Sequence, residues 1–186
     1  MTLTNIFSFS SLFLFAVTLT SCDFDIEENK RLKENSFFFS TDMFFEDEQK
    51  RLKNDSGFTK FVNFNGMKET MDIDSLNFVE EFAPFQNSDI NKAVWLDRYI
   101  CDTTYLQNII SKIDCSCQDK KLKTQRLSVD YNAGEVVKIR LENQMNKMLL
   151  TTMEYLTYTK DVSYEIKRFQ MLETGGVDST FVMVKF

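Results

Sequence analysis

The chain is predicted to fold as an α+β protein: an antiparallel sheet whose carboxyl-terminal part is a five-stranded meander, on the way to a half-barrel, with a few helices on one face. Three observations carry that expectation. Residues 124–186 divide into five segments in which apolar and polar side chains alternate, separated by short polar or glycine-containing breaks. Asn65-Gly66, a strong hairpin-turn signal, sits between two β-rich runs. Two earlier stretches instead space their apolar residues for one face of a helix.

In chain order, the first helix is expected from about Asp42 to Lys53, with Ser40, Thr41 or Asp42 as N-cap and Phe44, Phe45 and Leu52 on or near one face. Its acidic residues come early (Asp42, Glu46, Asp47) and its basic ones late (Lys50, Arg51, Lys53), the order a helix dipole favours. FTKFVNFNGMKETMDI then reads as a hairpin. Asp74 or Ser75 caps a short helix carrying Leu76, Val79 and Phe82, which Pro84, the sole proline, ends. Trp95 to Cys101 reads as a strand, and Leu106, Ile109, Ile110 and Ile113 fall at i, i+3, i+4 and i+7, the spacing of an amphipathic helix.

The meander follows. Leu127, Val129 and Tyr131 alternate with Arg126, Ser128 and Asp130, and after a turn at Asn132-Ala133-Gly134 come Val137, Ile139 and Leu141. Strands at Met148–Tyr158, Val162–Glu173 and Val177–Phe186 complete it, with breaks at Asn143–Lys147, Thr159–Asp161 and Gly175-Gly176. The third and fifth strands are apolar on both faces: Leu149, Met153 and Tyr155 against Leu150, Leu156 and Tyr158, then Phe181 and Met183 against Val182, Val184 and Phe186. A sheet solvated on one side does not need that, so the second face calls for helices, a closing barrel or a ligand.

Composition excludes several activities. The chain has no histidine, which removes Ser-His-Asp triads, Cys-His dyads and the usual catalytic zinc ligands. Five glycines leave no phosphate-cradling loop. Glu80-Glu81 are neighbours on a helix and so point apart, which suits a solvated surface better than an acid/base pair. No catalytic, cofactor-binding or metal site is read from the sequence, and no enzyme is expected. A net charge of −6 and a pI near 4.8 without a basic cluster disfavour nucleic acid as a partner. The nineteen phenylalanines, with Phe37-Phe38-Phe39 ahead of the first helix, are read mainly as core.

The amino-terminal segment sets the location. From Leu3 to Leu19 there is no charged residue, and Ser8, Ser10, Ser11 and Thr18 interrupt the apolar run, which fits an export signal better than the roughly 20 apolar residues of a spanning helix. Leu19-Thr20-Ser21-Cys22 at its end resembles the bacterial lipobox. The resemblance implies that the Cys22 thiol receives diacylglycerol, that the Ser21–Cys22 bond is then cut, and that Cys22 becomes the first residue of a membrane-anchored lipoprotein. MTLTN departs from the usual signal in carrying no Lys or Arg. The acidic stretch Asp23, Asp25, Glu27 and Glu28 looks like export signals of surface lipoproteins in Bacteroidetes, and SDINKAVWLDRY with the β-rich region behind it resembles small lipoproteins of that group. The organisation expected is therefore a signal peptide at 1–21, an acidic tether at 22–35 and one α+β domain at 36–186, held at the outer membrane with its periplasmic or surface face open.

In that compartment one disulfide from Cys101 to Cys115 or Cys117 is expected, and three free thiols packed at element ends are the competing reading. Function is left at two classes: a non-enzymatic module that binds another envelope protein, or a carrier that holds an apolar or lipid ligand under helices on a curved sheet. The second rests on architectural analogy with lipoprotein carriers.

Overall fold

The computed structural model describes residues 37–186. The expected segments 1–21 and 22–35, with Cys22, lie outside the described residues. Within them the elements run α1 (Thr41–Leu52), β1 (Phe58–Phe64), β2 (Met67–Ile73), α2 (Phe78–Gln86), β3 (Tyr99–Leu106), β4 (Ile109–Cys117), β5 (Thr124–Asn132), β6 (Glu135–Lys147), β7 (Leu150–Thr159), β8 (Ser163–Leu172) and β9 (Val177–Lys185), with a 3-10 turn at Ala93–Trp95. The fold is α+β, as the alternation predicted.

All the strands join one nine-stranded sheet in the order β2-β1-β9-β8-β7-β6-β5-β4-β3, every pair antiparallel. The five-stranded meander is its β5–β9 part, and the sheet stays open, with β2 and β3 as its edges. Asn65-Gly66 and Ala133-Gly134 each make a two-residue turn with both φ angles positive, the conformation that matches strand twist.

Helix α1 begins where the sequence placed it. Ser40 is the N-cap, and its Oγ accepts from the Met43 N–H while donating to Asp89 at 2.7 Å. Asp89 also accepts from the Asp42 N–H, and Asn91 accepts from the Phe38 N–H, so the loop after α2 fixes the start of α1. Phe45, Glu48 and Leu52 turn inward.

Five expectations change. Helix α2 is capped at Asn77, not at Asp74 or Ser75; it buries Phe78, Phe82 and Phe85 and leaves Val79 outside, 63% exposed. Pro84 lies inside it, because seating Phe85 in the core holds the backbone helical for two more residues, and the Ser88 hydroxyl donates to the Pro84 carbonyl. The expected strand at Trp95–Cys101 starts at Tyr99, after the 3-10 turn. The expected helix over Leu106–Ile113 is instead the β3–β4 hairpin, turning at Gln107-Asn108, where both residues take positive φ. Finally, Asn143–Lys147 is no break: β6 runs through it, with Asn143 buried and Gln144 and Asn146 on the other face.

The core lies between the two helices and one face of the sheet. Phe45, Phe82 and Phe85 meet Tyr158 and Tyr164, which sit directly opposite one another on β7 and β8, and Phe58, Phe78 and Phe186 extend the cluster. Each tyrosine hydroxyl donates to a carboxylate of the helix above it, Tyr158 to Glu48 of α1 and Tyr164 to Glu81 of α2. Arg51 forks onto the buried Glu48, and Lys60 lies 2.5 Å from the part-buried Glu81, so both acids are compensated. Burial first, then the neighbouring carboxylate, pushes both phenols far above their ordinary pKa, so both stay protonated donors.

Candidate functional site

Because strand side chains alternate, one set of residues faces the helices and the other faces away. Among the described residues no element packs on that second face. It divides into an aromatic half and a charged half.

The aromatic half is set by register across β1, β9, β8 and β7. Phe61 pairs with Met183, Lys167 lies between Phe181 and Tyr155, and Met153 pairs with Phe169. Phe61 and Phe181 are 5.7 Å apart between centroids, Tyr155 meets Phe169 edge-on at 6.4 Å, and the Lys167 ammonium stands 5.2 Å over the Phe181 ring. These side chains are half-buried by one another, and Phe169 is 38% exposed. The two-faced pattern of β7 and β9 therefore has two different causes: Leu156, Tyr158 and Val184 fill the core, while Met153, Tyr155, Phe181 and Met183 build an outer surface.

The charged half spans β4, β5 and β6. Arg126 grips Asp114 with two bonds, Nε to Oδ1 at 2.9 Å and Nη2 to Oδ2 at 2.7 Å, and Lys112 reaches the same carboxylate at 2.7 Å. Arg140 holds Asp130 at 2.7 Å. Lys112, Asp114, Arg126 and Glu142, with Asp102 and Ser116, line a shallow depression of about 440 Å³. The hydrogen bond from Arg126, then that from Lys112, lowers the Asp114 carboxyl from its ordinary 3.8 to about 2.

That shift gives a pH prediction. A depressed carboxyl contributes stability that is present above its ordinary value and is lost as pH falls through its folded value. Wild type should therefore lose stability faster than Asp114→Asn between pH about 4 and pH about 2, and the variant should already be the less stable of the two at pH 7. Thermal midpoints of both proteins across that range check it; parallel curves would remove the ion pair from the account.

The cysteines are placed as follows. Cys101 and Cys115 are directly opposite across β3 and β4 and form a disulfide; Cys117 is free, half-buried, and its thiol donates to the Asp119 carbonyl. The bridge spans a hairpin, where a helix had been expected between its ends. Cys22 lies outside the described residues. Among those residues no helix is long and apolar enough to cross a membrane.

The sequence did not single out the Tyr158–Glu48 and Tyr164–Glu81 pairs, which join residues 110 and 83 positions apart, and Glu81, expected on a solvated surface, is instead part-buried and accepts from Tyr164 and Lys60. Nor did it separate the outward aromatics from the core ones. Glu154 is a further buried acid, held by Arg168 at 2.6 Å and by Asn143 at 3.0 Å, with Asn143 also donating to Ser88. This network tethers the end of α2 to the middle of the sheet.

The chain matches no family model, no curated protein sequence and no solved structure.

Proposed function

We propose that the protein is a lipid-anchored component of the bacterial cell envelope, held at the outer membrane through Cys22, whose uncovered sheet face binds another envelope protein without catalysing a reaction. The observation that carries the binding half is the outward row of Phe61, Phe181, Tyr155 and Phe169 with Met153 and Met183, flanked by the Arg126–Asp114 fork. Aromatic residues, methionine and arginine are the side chains enriched at protein interfaces, and rigid rings anchor them at low entropic cost. The anchoring half rests on Leu19-Thr20-Ser21-Cys22 behind its apolar run. An apolar ligand between helices and sheet would have to displace Phe45, Phe82, Phe85, Tyr158 and Tyr164, which are fully buried against one another, so the open face is preferred to the carrier reading.

The test is recovery of a tagged chain from detergent-solubilised envelope, alongside a Phe61→Ser/Phe181→Ser variant. The expected result is a co-purifying envelope protein whose yield falls on the order of tenfold or more in the variant, as removal of interface anchors implies. Recovery of the wild-type chain alone, where known complexes survive, would overturn it. Cys22→Ser tests the anchor: a serine hydroxyl is a far weaker nucleophile than a thiolate, so fatty-acid label should vanish and the precursor stay uncleaved. Equal label in both proteins would mean that the lipobox had been misread.

A further inference from the structure

The sheet's two edges differ. Beside β3 the pairing register slips between Thr104 and Tyr105, where Ser111 of β4 is the extra residue, so the pairing along that edge is irregular. On β2 the register with β1 is unbroken over all seven residues, and Met67, Lys68, Glu69, Thr70 and Asp72 are exposed. An unbroken, exposed edge is a template for another strand.

Which backbone groups are open follows from the turn. Phe64 and Met67 flank the two-residue Asn65-Gly66 turn, so they exchange both of their hydrogen bonds, and the alternation of an antiparallel pair then directs Glu69, Met71 and Ile73 toward β1 as well. Lys68, Thr70 and Asp72 point their N–H and C=O groups away from the sheet.

From that edge we infer that the protein forms a two-fold symmetric dimer by antiparallel pairing of β2 with β2 of a second copy, centred on Thr70. A two-fold axis through Thr70 sets Thr70 opposite Thr70, Lys68 opposite Asp72 twice, and Met67 opposite Ile73 twice. Every outward backbone group then finds a partner, giving six inter-chain hydrogen bonds. Both cross-strand charge pairs are attractive, and the apolar ends meet apolar ends. Asp72 keeps one oxygen for Lys68, since its Oδ1 accepts from the Thr59 hydroxyl at 3.0 Å. Centring one residue earlier would set Glu69 against Glu69. Centring one residue later would take Lys68 away from Asp72. Within β2 this is the register that sets Lys68 against Asp72 on both sides of the axis, with Glu69 opposite Met71. The helix-covered faces of both copies lie on the same side, and the two sheets become one.

The full chain in detergent micelles tests this. In a Cys117→Ser background, Thr70→Cys should form a disulfide-linked dimer on oxidation, because a hydrogen-bonded pair places its Cα atoms about 5.5 Å apart, within disulfide reach. Lys68→Cys should not, since its symmetry mate would be about 14 Å away along the strand. By sedimentation, Lys68→Asp should weaken the dimer on the order of tenfold or more, and Lys68→Asp/Asp72→Lys should restore it. In the wild type, exchange at the amides of Lys68, Thr70 and Asp72 should slow as chain concentration rises. A monomer at every concentration, equal cross-linking of the two cysteine variants, or a dimer indifferent to charge reversal would overturn the inference; a monomer whose edge is protected by another protein's strand would do so too.

Discussion

Phe82→Ala is expected to destabilise the protein by about 3–5 kcal/mol, the range for removing a buried aromatic side chain. The residue is fully buried, and its ring touches five others: Phe45 at 4.9 Å, Phe78 at 5.3 Å, Tyr164 at 5.6 Å, Tyr158 at 6.0 Å and Phe85 at 6.2 Å. These rings belong to α1, α2, β7 and β8, so the cavity would open where both helices meet the sheet. Those elements also hold Glu48 and Glu81 over their tyrosines, and relaxation into the cavity would disturb both pairs. Val79→Ala on the same helix is the control: its side chain points to solvent, and a change within about 0.5 kcal/mol is expected. Urea unfolding of the two variants checks the contrast. Similar midpoints would mean that α2 docks by some other contact.

Loss of the Cys101–Cys115 bridge should cost about 2–3 kcal/mol, the chain-entropy value for a loop of this size, some of it already secured by the β3–β4 pairing. Cys101→Ala and Cys115→Ala should each lower the denaturation midpoint, and reductant should lower that of the wild type to the same level. Cys117→Ser should leave the response to reductant intact. A wild-type midpoint insensitive to reductant would count against any contribution from the bridge.

The sequence disclosed what local rules control. Asn65-Gly66 announced its hairpin because few residue pairs accept positive φ twice in succession, and Asn132-Ala133-Gly134 marked the turn into β6 as a break between alternating segments. The strands of the meander were legible because one face of each is core. The β3–β4 hairpin was misread because Leu106, Ile109, Ile110 and Ile113 satisfy a helical spacing, while Gln107-Asn108 is a weaker turn signal than Asn-Gly. The cysteines held the missing clue: Cys101 and Cys115 lie equally far from Asn108, so a bridge between them is what a hairpin turning there would allow. Val79 was read onto the helix's apolar face and Phe78 was not singled out, because a nine-residue helix allows more than one apolar face; contact with Phe58 and Phe186 selects the one with Phe78. The outward aromatics were beyond local reading altogether. Whether Phe181 or Val184 faces the helices depends on the tertiary arrangement, and alternation alone assigns neither.

The pairing of β1 with β9 reaches across the chain, from Thr59–Lys185 to Phe64–Thr180. This bears on the order of events in folding. The β1–β2 hairpin can form within microseconds of its synthesis, yet it has no sheet to join until Val177–Lys185 is available. Helices α1 and α2 wait as well, because Tyr158 and Tyr164 lie in the last third of the sequence. The native state is thus closed by its most distant contacts: the other seven strand pairings join neighbours in sequence, so docking of β1 on β9 carries the largest loop-closure cost among them. Until β9 docks, two amphipathic helices and a two-stranded ribbon remain exposed, and a chaperone that shields them would have its longest task on the first half of the domain.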